Sequence, residues 1–211
     1  MRRFLTVMIG AFLVACPAIF GHAASPTLLL PDSVQEDWQL VVATPDTTDS
    51  GPQITTSMSP VTDNSIPFVD FDLNYSEIPD FSPGGMQIQV WSAGKCLSSS
   101  SQGTAQLNTV NETITWTQAM SVSNGSITYG VSNGQSTTWG KFGQGQGLLA
   151  VSYPTSATDM SKYSPTWSVQ RSAVSWEANR VTSLTLMQVR YYANGVLLST
   201  DTTQRTVTLT P

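Results

Sequence analysis

The chain has 211 residues, of which 40% are hydrophobic and 11% charged, and its formal net charge is −5. A nucleic-acid partner calls for a basic surface, so this balance excludes that class. One histidine and two cysteines leave little material for a histidine-based catalytic or metal site.

The first element is a targeting segment, residues 1–24. Arg2 and Arg3 form a basic start, and residues 4–14 are an apolar stretch too short to span a bilayer as a helix. Small residues at Ala23 and Ala24 suit ordinary signal cleavage, which is the preferred reading. Leu13-Val14-Ala15-Cys16 also resembles a bacterial lipobox, which would leave the protein lipid-anchored through Cys16. Either way the mature chain is expected outside the cytoplasm, secreted or periplasmic. His22 leaves with the leader, and so does Cys16. Cys96 is then the only thiol, expected to be buried and inert. Residues 25–211 read as one domain, with no further stretch able to cross a membrane.

Residues 38–42 read as the first strand and residues 54–58 as the second. Residues 68–75 alternate cleanly. Val69, Phe71, Leu73 and Tyr75 fall on one face, and Asp70 and Asp72 on the other. Residues 86–91 alternate again, and the serine run 98–101 reads as an exposed loop.

The clearest stretch is 113–143. Asn-Gly favours the two positive φ angles of a type I′ hairpin turn. A turn at Asn124-Gly125 pairs Val122 with Ile127, Met120 with Tyr129 and Gln118 with Val131. Ile114 and Trp116 continue the apolar face, while Ser121 and Thr128 face the other way. A second two-residue turn at Asn133-Gly134 would set Trp139 opposite Thr128, on the hydroxyl-rich face.

Residues 148–153 are a further strand, residues 159–162 a short helical turn, and residues 167–176 an extended segment. The last hairpin turns at Asn194-Gly195, and Arg190 and Asp201 are expected to pair across it. No long 3.6-residue apolar period appears. Frequent short strands and turns predict an all-β, antiparallel two-sheet sandwich or jelly roll.

The strands around Trp116, the hairpins of SNGSITYGVSNG and the closing RYYANGVLLST resemble concanavalin A-like (laminin G-type) sandwiches. The stretch VSNGQSTTWGKFG is similar to uncharacterised secreted bacterial proteins. The resemblance implies the sandwich fold and carbohydrate or surface binding, sometimes with Ca²⁺. The Glu-x-Asp-x-x-Glu run of that superfamily's glycosidases is absent.

Two site expectations follow. Asp70 and Asp72 leave one face of a strand, and the choices are a Ca²⁺ site, a carboxylate pair for glycoside hydrolysis, or an ordinary solvated face. Trp139, with Thr128 and Ser121 beside it, is the expected ligand contact, because an indole on a polar face can stack on a sugar ring. The functional expectation is a non-enzymatic module that binds extracellular glycan or another surface polymer. A structural or adhesion component that contacts surface protein, or a carboxylate-dependent glycosidase, are the alternatives. No cofactor beyond Ca²⁺ is expected.

Overall fold

The structure, a computed structural model, describes residues 29–43, 52–63, 65–75, 85–104, 111–137, 140–143, 149–175 and 178–209. The expected targeting segment lies outside them, as do Trp139 and most of the glycine-rich stretch 143–147.

Thirteen strands are described: β1 (Ser33–Val42), β2 (Gln53–Met58), β3 (Phe68–Tyr75), β4 (Gly85–Ser92), β5 (Lys95–Thr104), β6 (Thr113–Ser123), β7 (Ser126–Ser136), β8 (Gly140–Phe142), β9 (Ala150–Pro154), β10 (Ala173–Ser175), β11 (Val181–Ala193), β12 (Val196–Asp201) and β13 (Arg205–Thr206). They form two antiparallel sheets packed as a sandwich. One runs β12-β11-β1-β6-β7-β8, with β13 on β11 and β9 on β7. The other runs β10-β2-β3-β4-β5. The single α-helix among the described residues, α1 (Pro165–Arg171), precedes β10.

Alternation decides what is buried. Val34, Trp38, Leu40 and Val42 of β1 face inward, as do Ile114, Trp116, Met120 and Val122 of β6. The second sheet answers with Ile54, Met58, Val69, Phe71, Leu73, Ile88 and Val90. Trp38 and Trp116 stack in parallel at 6.4 Å, and Phe71 meets Trp116 edge-on at 5.8 Å from the opposite sheet. These three rings clamp the sheets together.

The expected pairing of Val122 with Ile127, Met120 with Tyr129 and Gln118 with Val131 is present. Asn124 and Gly125 both have positive φ, as the turn requires. The second Asn-Gly is not a turn. β7 runs on to Ser136, and Asn133-Gly134 is an irregularity inside it, where the register slips between Thr115 and Thr117. Asn133 takes φ +54°, and Gly134 lies against the Phe142 ring, where a Cβ would sit 2.4 Å from ring carbons. That contact demands glycine, so the sequence signal was real but its cause was packing.

Four other expectations are corrected. The serine run 98–101 lies within β5, paired to β4 through a turn at Ala93-Gly94 whose φ angles are both positive. Residues 167–171, expected to be extended, belong to α1. Ser164 caps that helix and Pro165 opens it, a start signal that outweighs the weak β pattern. Arg190 pairs with Asp37 at 2.8 Å rather than with Asp201, which binds Arg205 at 2.7 Å. Arg190 stands opposite Thr200 in the register. Cys96, expected to be buried, is exposed beside the β4–β5 turn.

Candidate functional site

The chemistry collects on the outer face of the smaller sheet. Inward-facing Val69, Phe71 and Leu73 force Asp70 and Asp72 to the other side, as the alternation of β3 predicts. Register then lines up two rows. Ser57, Asp70 and Gln89 stand side by side across β2, β3 and β4. Thr55, Asp72 and Gln87 form the row next to them. Each row therefore holds a hydroxyl, a carboxyl and a primary amide on adjacent strands.

Hydrogen bonds fix the rows. The Ser57 hydroxyl donates to Asp70 Oδ1 and the Thr55 hydroxyl to Asp72 Oδ1, both at 2.5 Å. Trp91 Nε1 donates to Gln89 Oε1 at 2.8 Å, and Gln89 Nε2 donates to Gln87 Oε1 at 2.7 Å. This relay turns the Gln89 amide nitrogen along the platform. Asp72, Gln87 and Gln89 are buried, and Asp70 is half-buried.

Burial sets the charge state. Desolvation pushes the Asp70 carboxyl up to about 6, although the Ser57 hydrogen bond and the Arg171 cation hold it down. Asp72 is pushed up to about 7, again chiefly by burial, with the Asp70 charge adding to the rise and Thr55 opposing it. Asp72 is buried, so an ordinary solvated face does not describe it. On acidification from neutral pH Asp72 therefore takes up its proton before Asp70 does.

The end of α1 closes one side. The Ser168 hydroxyl donates to the Ser57 carbonyl, and Ser57 N donates to Ser172 Oγ at 3.1 Å. Ser172 N in turn donates to the Ser168 carbonyl at 3.0 Å. Helix and strand are thereby locked where Arg171 leaves the helix. Its guanidinium lies 4.7 Å from the Phe68 ring centre and 5.8 Å from that of Trp167.

The expected metal role can be tested on the donor set. Calcium takes six to eight oxygens. Here two carboxyls each accept a hydroxyl hydrogen on Oδ1, and the neighbouring amides are tied to one another. Among the described residues no group of three or more His, Cys, Asp or Glu side chains is placed to hold a metal.

The glycan expectation fares differently. Ser121 and Thr128 are paired on the outer face of the larger sheet, as read. Thr128 is flanked on its other side by Ser152 of β9, and Trp139 lies outside the described residues. The register that set Trp139 opposite Thr128 does not occur, because β7 does not turn at Asn133-Gly134.

Sequence reasoning missed a third acid. Glu36 faces the core between Val34 and Trp38 and is wholly buried. It accepts from Trp38 Nε1 at 2.8 Å, from Tyr163 at 2.5 Å and from Gln118 Nε2. Burial pushes its pKa up despite these donors. Extending the strand alternation back from Trp38 to Val34 would have found it. It is sealed from solvent, so it ties β1, β6 and the segment before α1 together and has no access to substrate. Asp37, on the outer face of the same strand, is saturated by Thr117, Arg190 and Gln188. A cavity of about 420 Å³ beside α1 and β13 holds Arg205 as its one ionisable group.

No protein-family model matches the chain. No curated protein matches it either. Among solved structures it is similar to SCP-B, a member of the eqolisin family of peptidases, in a complex with the tripeptide Ala-Ile-His. Identity is 10%, 83% of each chain is covered, and the TM-score is 0.30. The expectation of a non-enzymatic binding module is corrected here, because the solved structure that matches is an enzyme. A likeness at that TM-score carries no argument about this chain's own chemistry, which has to rest on its side chains.

Proposed function

We propose that this protein is a hydrolase of acyl bonds, amide or ester, that uses a carboxyl–amide platform and water as nucleophile. One observation carries the reading: a buried and a half-buried carboxyl, raised to about 7 and about 6, stand in register beside two ordered glutamines.

The roles follow from position. Asp70, the less buried of the two, takes a proton from water as the water oxygen bonds to the acyl carbon. The Gln89 amide N–H donates to the oxygen on which negative charge develops. Asp70 then returns its proton to the departing amine or alkoxide as the acyl bond breaks. Asp72, buried and protonated below about pH 7, adds no second negative charge beside the ionised Asp70. Ser57 is buried, and its hydroxyl donates to Asp70, which makes it a positioning residue rather than a nucleophile.

The concanavalin A-like assignment and a location outside the cytoplasm belong to this proposal. The test is turnover of an unfolded protein and of simple peptide and ester substrates by the mature chain from pH 3 to 8. Loss of a positioned acid–base group removes about 10²–10⁴ in rate, so Asp70→Asn should lower kcat by that much while the variant stays folded. Absence of turnover by the wild type, or equal turnover by Asp70→Asn, contradicts the reading.

A further inference from the structure

We propose that Arg171 binds a carboxylate on the substrate, so that the site prefers acyl substrates carrying a negative charge near the scissile bond. The inference rests on the hydrolase reading above and names the substrate class of that site.

Placement is the first argument. Arg171 is the last residue of α1, and the helix end is held to β2 by the Ser168 and Ser172 contacts with the backbone of Ser57. Ser57 is also the residue that hydrogen-bonds Asp70. The helix end that carries the cation is therefore fixed relative to the carboxyl pair by two short links.

Presentation is the second. The side chain is exposed, and its guanidinium lies against Phe68 and Trp167, which meet edge-to-face at 6.2 Å. Ring contact restricts the side chain, which stays exposed to solvent. No carboxylate lies within ion-pair distance of Arg171 among the described residues, although the field of its charge reaches Asp70. Arg190 and Arg205 are each neutralised by an aspartate, so Arg171 differs from them in being ordered by rings.

Chemistry is the third. A planar guanidinium held against aromatic rings is suited to bidentate recognition of a carboxylate. Asp70 is half-buried and burdened with a raised pKa, and its geometry is committed to Ser57. An incoming carboxylate can therefore take the cation without competing for it. Two sources supply that group: an acidic side chain, or the free C-terminus of a peptide.

The experiment uses four matched peptides on the mature protein. They carry Glu or Gln beside the scissile bond, each with a free or an amidated C-terminus. Hydrolysis is followed for wild type, Arg171→Met and Arg171→Lys. Binding is followed separately by tryptophan fluorescence in the Asp70→Asn background, with and without Arg171→Met. A charge-assisted contact of this kind changes affinity about tenfold or more. The wild type should favour one carboxylate-bearing arm by that factor in KM with kcat little changed. Arg171→Met should erase the preference and Arg171→Lys keep part of it. If the Glu arm carries the preference, the source is a side chain; if the free-acid arm does, it is the C-terminus. Hydrolysis of all four peptides alike overturns this inference and leaves the hydrolase reading intact. Absence of hydrolysis overturns the hydrolase reading, and the binding arm then decides alone whether Arg171 selects carboxylates. Equal binding of all four peptides overturns the inference.

Discussion

Replacing Asp72 by Asn should make the protein more stable at pH 8 and leave it nearly unchanged at pH 4. Asp72 is buried, and its pKa rises from 3.8 to about 7. A carboxyl raised in this way favours folding fully only below the unfolded value, near 4. The contribution is lost as pH rises through about 7, because ionisation must then occur in a desolvated place. A shift of about 3 units corresponds to roughly 4 kcal/mol at 1.36 kcal/mol per unit. Asn cannot ionise, and its Oδ1 still accepts from the Thr55 hydroxyl that now donates to Asp72. Urea unfolding of both proteins at pH 4 and pH 8 gives the four stabilities needed. The difference between variant and wild type should grow with pH by an amount approaching 4 kcal/mol. A difference that is flat with pH, or that favours the wild type at pH 8, would refute the assignment of Asp72 as a buried, high-pKa acid.

Trp116→Ala removes a ring stacked on Trp38 and edge-on to Phe71, and unfolding in urea should register a loss of about 3–5 kcal/mol. Gly134→Ala drives a methyl into the Phe142 ring and should cost about 1–3 kcal/mol by the same assay, whereas a neutral result would mean that β7 is not held against Phe142 there. Glu36→Gln keeps a neutral group in the core; because burial raises the Glu36 pKa, wild-type stability falls as pH climbs above the unfolded value near 4.5, and the Gln variant should lack that part of the fall. Asp201 behaves oppositely: hydrogen bonds from Thr203 and Arg205 hold its pKa down at about 2, so its contribution is present above pH 4 and fades as pH drops toward 2, a fade that Asp201→Asn should abolish in an acid melt.

Much of the fold is legible in the chain. The alternation of residues 68–75 gives β3 to the residue, and the Asn124-Gly125 turn fixes the β6–β7 register. The apolar placement of Trp116 follows from that register. What is not legible depends on contacts distant in sequence. Asn133-Gly134 carries the same local signal as a hairpin turn, but the Phe142 ring converts it into a bulge. The serine run becomes strand because β4 supplies backbone partners regardless of side chain. At the site, alternation put Asp70 and Asp72 on one face, and nothing local showed that the face is buried. Their importance comes from Ser57, Thr55, Gln87 and Gln89 on neighbouring strands, and only sheet register brings those together. Arg171 was hidden by the misreading of a helix as extended chain.

The acid–base role depends on both carboxyls of β3 titrating well above the ordinary aspartate range. Carboxyl-carbon NMR of protein labelled at aspartate reads this directly, with Asp70→Asn and Asp72→Asn used to assign the signals. The account predicts two titration steps, near pH 6 and near pH 7, with one step remaining in each variant. Titration of both carboxyls near 4, as for solvated aspartates, would contradict it and take the acid–base site with it.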